Sequence, residues 1–164
     1  MASNIQPIKQ GQTMGSWQDA FTWHYVEAAT QSYVTGAPLK FSSGGMAVIS
    51  SVTAPTIAGI ALANATGVTG ADAPVILPLD QVFFEVSVDT TTTSGTAALG
   101  TGKPSDFTVG TSYQLLLDST SGNYYMGTGT GNPVFQLMGY DPDQASVING
   151  RVYVRILTSQ TIYS

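Results

Sequence analysis

Residues 82–88 read VFFEVSV, and the way this run is folded decides the class of the whole chain. Successive side chains of an extended strand point to opposite faces. Val82, Phe84, Val86 and Val88 then share one side, and Phe83, Glu85 and Ser87 share the other. The all-apolar side is the expected core face, since a one-residue slip would bury the carboxylate instead. Working outward, PLKFS, MAVISSV, IAGIALA and PVILPL precede it at about ten-residue spacing, with Gly, Pro and Asn between them. SYQLLLDS, NYYMGTG, PVFQLMGYD and RVYVRIL follow it, and STSGN between the first two reads as a hairpin turn. Regular short strands of this kind predict an all-β fold, a barrel or sandwich of antiparallel strands.

The two ends of the pattern are less regular. Residues 1–15 are polar and read as an extended arm. SWQDAFTWHYVEAATQ (16–31) satisfies two periods. As a helix over 17–31, it has Ser16 as N-cap and places Trp17, Phe21, His24 and Ala28 on one stripe. As a strand, it places Phe21, Trp23 and Tyr25 on one face. The expected organisation is an N-terminal arm or short helix over 1–32 and a β domain over 33–164. That domain carries a long Thr/Gly-rich loop at about 89–110.

Composition restricts function. The 164 residues are 43% hydrophobic but only 9% charged, against about 25% in ordinary domains. Thr, Ser, Gly and Asn carry the surface, which suits a protein packed into an assembly. With three Lys, two Arg and a net charge of −5, no basic patch is available for phosphates, so nucleic acid is not an expected partner. There is no cysteine, which excludes disulfides and thiolate metal sites. No apolar run is long enough to span a bilayer as a helix. The start, MASNIQPIKQGQTMGS, lacks a signal-peptide apolar region, so synthesis in a cytoplasm is expected.

No chemical motif stands out. His24 is the single histidine and reads as a packing or interface residue. GTGTGN (127–132) lacks the Lys and following helix of a phosphate loop. Asp141 and Asp143 bracket Pro142, and two carboxylates could begin a Ca²⁺ site. Where an EF-hand loop carries Asp or Asn at its fifth position, Gly at its sixth and Glu at its twelfth, this chain has Ala145, Ser146 and Val152, so a proline-set turn with Asp141 capping it is the expectation. An enzyme would need an acid pair in one pocket, such as Asp80 with Glu85. The expectation is no enzyme, no catalytic residue, no metal and no cofactor. In RVYVRIL, Val152, Val154 and Ile156 point one way and Arg151, Tyr153 and Arg155 the other. Arg and Tyr are enriched at binding hot spots. With Trp17, Phe21, Trp23 and Tyr25 they form the expected partner interface.

The run IAGIALANATGVTGADAPVILPLDQVFFEVSV (57–88) resembles a pattern in tailed-bacteriophage capsid decoration, or cement, proteins. An apolar strand (Gly59 to Leu62) leads through a loop to a second (Val75 to Leu77), then to an acid-bearing strand (Asp80 to Val86). VGTSYQLLLDSTSGNYYM, VFQLMGYDPDQ and NGRVYVRIL are similar to the second half of such proteins. The resemblance spans about residues 33–157, rests on structural motifs, and does not extend to the first 32 residues. It implies a virion protein on the capsid exterior, bound to the major capsid protein and to neighbouring copies as a dimer or trimer. It also implies that the two aspartates form a bend before the last strand. The alternative is a head-fibre or tail-associated module that binds a receptor glycan, with Tyr124, Tyr125 and Trp23 stacking on sugars.

Overall fold

A computed structural model describes residues 5–13, 21–42, 45–48, 52, 55–92 and 101–162. Among them there is no α-helix, only short 3₁₀ turns and twelve strands in antiparallel sheets. The strands are β1 (Lys9–Thr13), β2 (Thr22–Val26), β3 (Pro38–Ser42), β4 (Gly45–Val48), β5 (Gly59–Ala61) and β6 (Asp72–Ile76). They continue with β7 (Val82–Ser87), β8 (Ser112–Tyr113), β9 (Leu115–Leu117), β10 (Tyr124–Met126), β11 (Phe135–Gly139) and β12 (Arg151–Ile156).

The first sheet has the order β1-β7-β12-β11-β8. Its register pairs Val86 with Val152, Phe84 with Val154, and Ile156 with Phe135. Paired residues of an antiparallel ladder share a face, so one apolar layer forms from three strands. Val82, Phe84, Val86, Val152, Val154, Phe135 and Leu137 are all buried. This is the face assignment the alternation in VFFEVSV and RVYVRIL predicts. Ser87 departs from it. It points away from the core yet is fully buried, because the N-terminal segment crosses it and Gln6 N–H donates to its Oγ at 3.2 Å.

The second sheet has the order β2-β6-β5-β3-β4, and its two ends approach each other. Glu27, just past β2, bridges Met46 of β4, and Ala28 N–H donates to the Met46 carbonyl at 3.2 Å. The sheet thus curls toward a small barrel filled by Leu39, Met46, Ala61, Ala73 and Val75. Gly59 is required there, since a Cβ would lie 2.6 Å from Val75 Cβ. One hydrophobic cluster draws on both sheets. β9 and β10 form the expected hairpin, with the buried Asp118 carboxylate accepting from Thr120 N–H, Ser121 N–H and Ser121 Oγ–H.

Of the two periods open to the 16–31 segment, the strand, not the helix, is the one found at Thr22–Val26, and all five residues pair with β6. β1 pairs with β7, and Ile5 and Ile8 are buried. The first 32 residues supply strands to both sheets and cannot be treated as an arm beside a complete domain. The physical reason is edge pairing: β6 and β7 offer backbone groups that need partners, and Thr, Trp, Tyr and Val suit a strand. In the expected 89–110 loop, residues 93–100 lie outside the described residues, and Pro104–Asp106 form a 3₁₀ turn.

Candidate interaction surfaces

The outer face of β12 carries Arg151, Tyr153 and Arg155, as the alternation predicts, but the three have different fates. Arg151 is mostly buried. Its Nε donates to Glu85 Oε2 at 3.0 Å, and its Nη2 donates to the Glu85 carbonyl at 2.8 Å and the Pro7 carbonyl at 3.0 Å. Lys9 Nζ adds a second cation 2.8 Å from Glu85 Oε2. Burial pulls the Arg151 pKa down and the Glu85 carboxylate opposes that shift, leaving it below its ordinary value. Arg151, expected at a partner interface, thus meets a carboxylate of its own chain. Arg151 clasps the N-terminal segment onto the first sheet.

Tyr153 donates from its hydroxyl to Asp141 Oδ2 at 2.9 Å, and this bond, more than burial, raises its pKa. Arg155 has no carboxylate partner among the described residues. Its Nε donates to Gln136 Oε1 at 2.6 Å. Lys9, Glu85, Asp141, Gln144, Arg151 and Tyr153 line an open depression of about 240 Å³. Asp80 lies in a different depression, where it accepts from Thr158 Oγ–H at 2.8 Å, so it forms no acid pair with Glu85.

The 141–144 segment is a 3₁₀ turn, with Gln144 N–H donating to the Asp141 carbonyl at 2.8 Å. Asp141 makes no side-chain cap, contrary to expectation, and turns to Tyr153 instead. No group of three metal-ligating side chains occurs among the described residues. The combined change Asp141→Asn and Asp143→Asn is expected to cost less than about 1 kcal/mol, the scale of an exposed polar contact. Chemical denaturation with and without EDTA checks this. A larger loss that tracks chelation would restore the Ca²⁺ reading.

The aromatic residues of the second sheet form the other surface. Strand pairing sets Trp23 beside Val75 and Tyr25 beside Ala73. Tyr25 packs on the core and meets Phe41 of β3 edge-to-face, with ring centroids 5.0 Å apart. Phe21 is half-buried against the core. Trp23 remains 58% exposed and Phe41 48% exposed. Trp17 lies outside the described residues. His24 is exposed rather than packed, with Nδ1 2.9 Å from both oxygens of Asp72. Tyr124 and Tyr125 are buried and cannot stack on a sugar; burial pushes the Tyr124 hydroxyl up to about 12, and Tyr125 OH lies 2.6 Å from Thr91 Oγ1.

No family model, curated protein or solved structure matches this chain. The surfaces must therefore speak through their own chemistry. Sequence reasoning missed Phe41 because its partner Tyr25 is on another strand. It also missed the Lys9–Glu85–Arg151 clasp, whose members meet only through the β1-β7-β12 register.

Proposed function

We propose that this chain is a non-enzymatic structural subunit of a tailed-phage virion. In this reading it binds the outside of the icosahedral shell, contacts the major capsid protein and neighbouring copies of itself, and cements capsomers together. The observation that carries the reading is the exposed aromatic seam of the second sheet. There Trp23 and Phe41 leave large rings in solvent, at 58% and 48% exposure. Exposed aromatics of this kind act as anchors when a partner covers them, since each buries about 150–250 Å². The low charge and the resemblance of about residues 33–157 to cement proteins support the same conclusion. The glycan alternative loses two of its three stacking residues to the core.

Shells lacking the protein, titrated with purified chain and sedimented, test this directly. Trp23→Ala with Phe41→Ala should lower shell affinity at least tenfold while leaving the melting transition within about 1 kcal/mol of the parent. A truncated tryptophan anchor commonly costs 2 kcal/mol or more of binding, roughly thirtyfold. Undiminished occupancy by the double variant would remove the aromatic seam from the docking surface. Failure of the parent chain to sediment with any candidate shell would overturn the capsid reading itself.

A further inference from the structure

Glu27 is completely buried, yet no cation pairs with it among the described residues. Its carboxylate is held by the loop that follows β5. Thr66 N–H and Oγ–H donate to Oε2 at 2.8 and 2.9 Å, and Gly67 N–H donates to Oε1 at 2.6 Å. Its backbone holds the same loop: Glu27 N–H donates to the Ala71 carbonyl at 2.7 Å, and Gly70 N–H donates to the Glu27 carbonyl at 2.9 Å. The residue also bridges Met46, and its neighbour Ala28 closes the sheet onto β4. One residue therefore joins β2, β4 and the 62–70 loop, its backbone meeting β4 and its side chain the loop.

We propose that Glu27 is an acid-sensitive latch. As a carboxylate it holds the 62–70 loop and the β2–β4 seam in place, and its protonation releases them. The reason is the donor set. Both oxygens face N–H and O–H groups, so an added proton points at donors rather than an acceptor. The Thr66 hydroxyl can turn to accept it, but the Thr66 amide then faces a protonated oxygen and loses its partner. A buried amide without an acceptor is costly. The loop and β4 bring no titratable residue to the site. Tyr33 is the nearby ionisable hydroxyl, and Asp72 of β6, paired with His24 of β2, also acts on that hydroxyl.

Desolvation raises the Glu27 pKa, but the hydrogen bonds from Thr66, Gly67 and Val68 outweigh it and hold the carboxyl below its usual value. A depressed carboxyl stabilises the fold fully above the unfolded-chain pKa, about 4.3, and that stabilisation is lost as pH falls through the lower folded value. The latch itself is independent of the docking reading. If both hold, attachment through the Tyr25–Phe41 seam weakens in acid.

Hydrogen exchange by mass spectrometry on the intact chain, without shells, tests the latch from pH 7 down to about 2.5, below the usual carboxylate range. After correction for intrinsic exchange, protection of peptides covering 62–70 and 45–48 should fall about threefold or more in the acid limb. Peptides covering β7 and β12 should keep theirs. Glu27→Gln, which fixes a donor on one of the two oxygens, should show the loosened loop already at pH 7 and no further change in acid. Thr66→Val removes one donor to the carboxylate and should move the midpoint to higher pH. Flat loop protection, loss shared equally by β7 and β12, full protection in Glu27→Gln, or an unmoved midpoint in Thr66→Val would each overturn the proposal.

Discussion

Deletion of residues 1–31 is expected to abolish cooperative folding. The segment contributes Ile5 and Ile8 to the interior, at 2% and 1% exposure. Replacing one buried Ile by Ala costs about 2–5 kcal/mol, so losing both approaches the 5–15 kcal/mol total stability of a small domain. The deletion also strips β1 from β7 and β2 from β6, leaving two long unpaired edges. Long-range bonds go with it, among them those from Arg151 to the Pro7 carbonyl, from Asn123 to the Ile5 carbonyl at 2.9 Å, and from Gln6 to Ser87. Gly36 reports the same closeness from the other side. It has φ +85° and no room for a Cβ, which would sit 2.6 Å from Ile8 backbone atoms. Circular dichroism and urea denaturation of the truncated chain decide the matter. A sharp transition with native β signal would show that the segment is a dispensable arm after all.

The two arginines of β12 should separate sharply. Arg151→Ala is expected to destabilise the fold by about 3 kcal/mol, because it leaves Glu85 and the Pro7 carbonyl short of donors in a mostly buried setting. The remaining solvent access and the second cation, Lys9, keep the loss at the low end for a broken buried pair. Arg155→Ala should cost less than about 1 kcal/mol, since it loses only the bond to Gln136. Among the described residues its guanidinium bonds only through Nε, so of the two arginines it is the one suited to meet a carboxylate on a partner, if the proposed function holds. Urea midpoints at constant slope measure both variants. Equal, small losses would show that the Arg151 clasp is not structural.

The strands of the two sheets were legible because their information is local. In VFFEVSV and RVYVRIL an apolar residue recurs at every second position, and only one face can be buried without a charge. The hairpin at STSGN and the turn at DPDQ were legible for a similar reason, since Asp, Pro and Gly set backbone angles within a few residues. The segment SWQDAFTWHYVEAATQ was not. Its residues satisfy the helical and the strand period together, and the choice fell to β6, about fifty residues away, whose open edge takes Thr22 to Val26 as a strand.

Charge partners were equally hidden. The spacing of Arg151 and Arg155 gives their common face, but not that Glu85 lies beside one and Gln136 beside the other. Nothing in the local sequence singles out Glu27, at the end of an aromatic stretch. It becomes a buried anchor because curling of the second sheet carries the 66–68 amides over it. From residue 33 onward, local periodicity and turn chemistry thus determined where the main strands lie and which way VFFEVSV and RVYVRIL face. Only tertiary structure decided which edges meet, and with them which aromatics stay in solvent and which charges are satisfied within the chain, because those depend on registers between residues far apart in sequence.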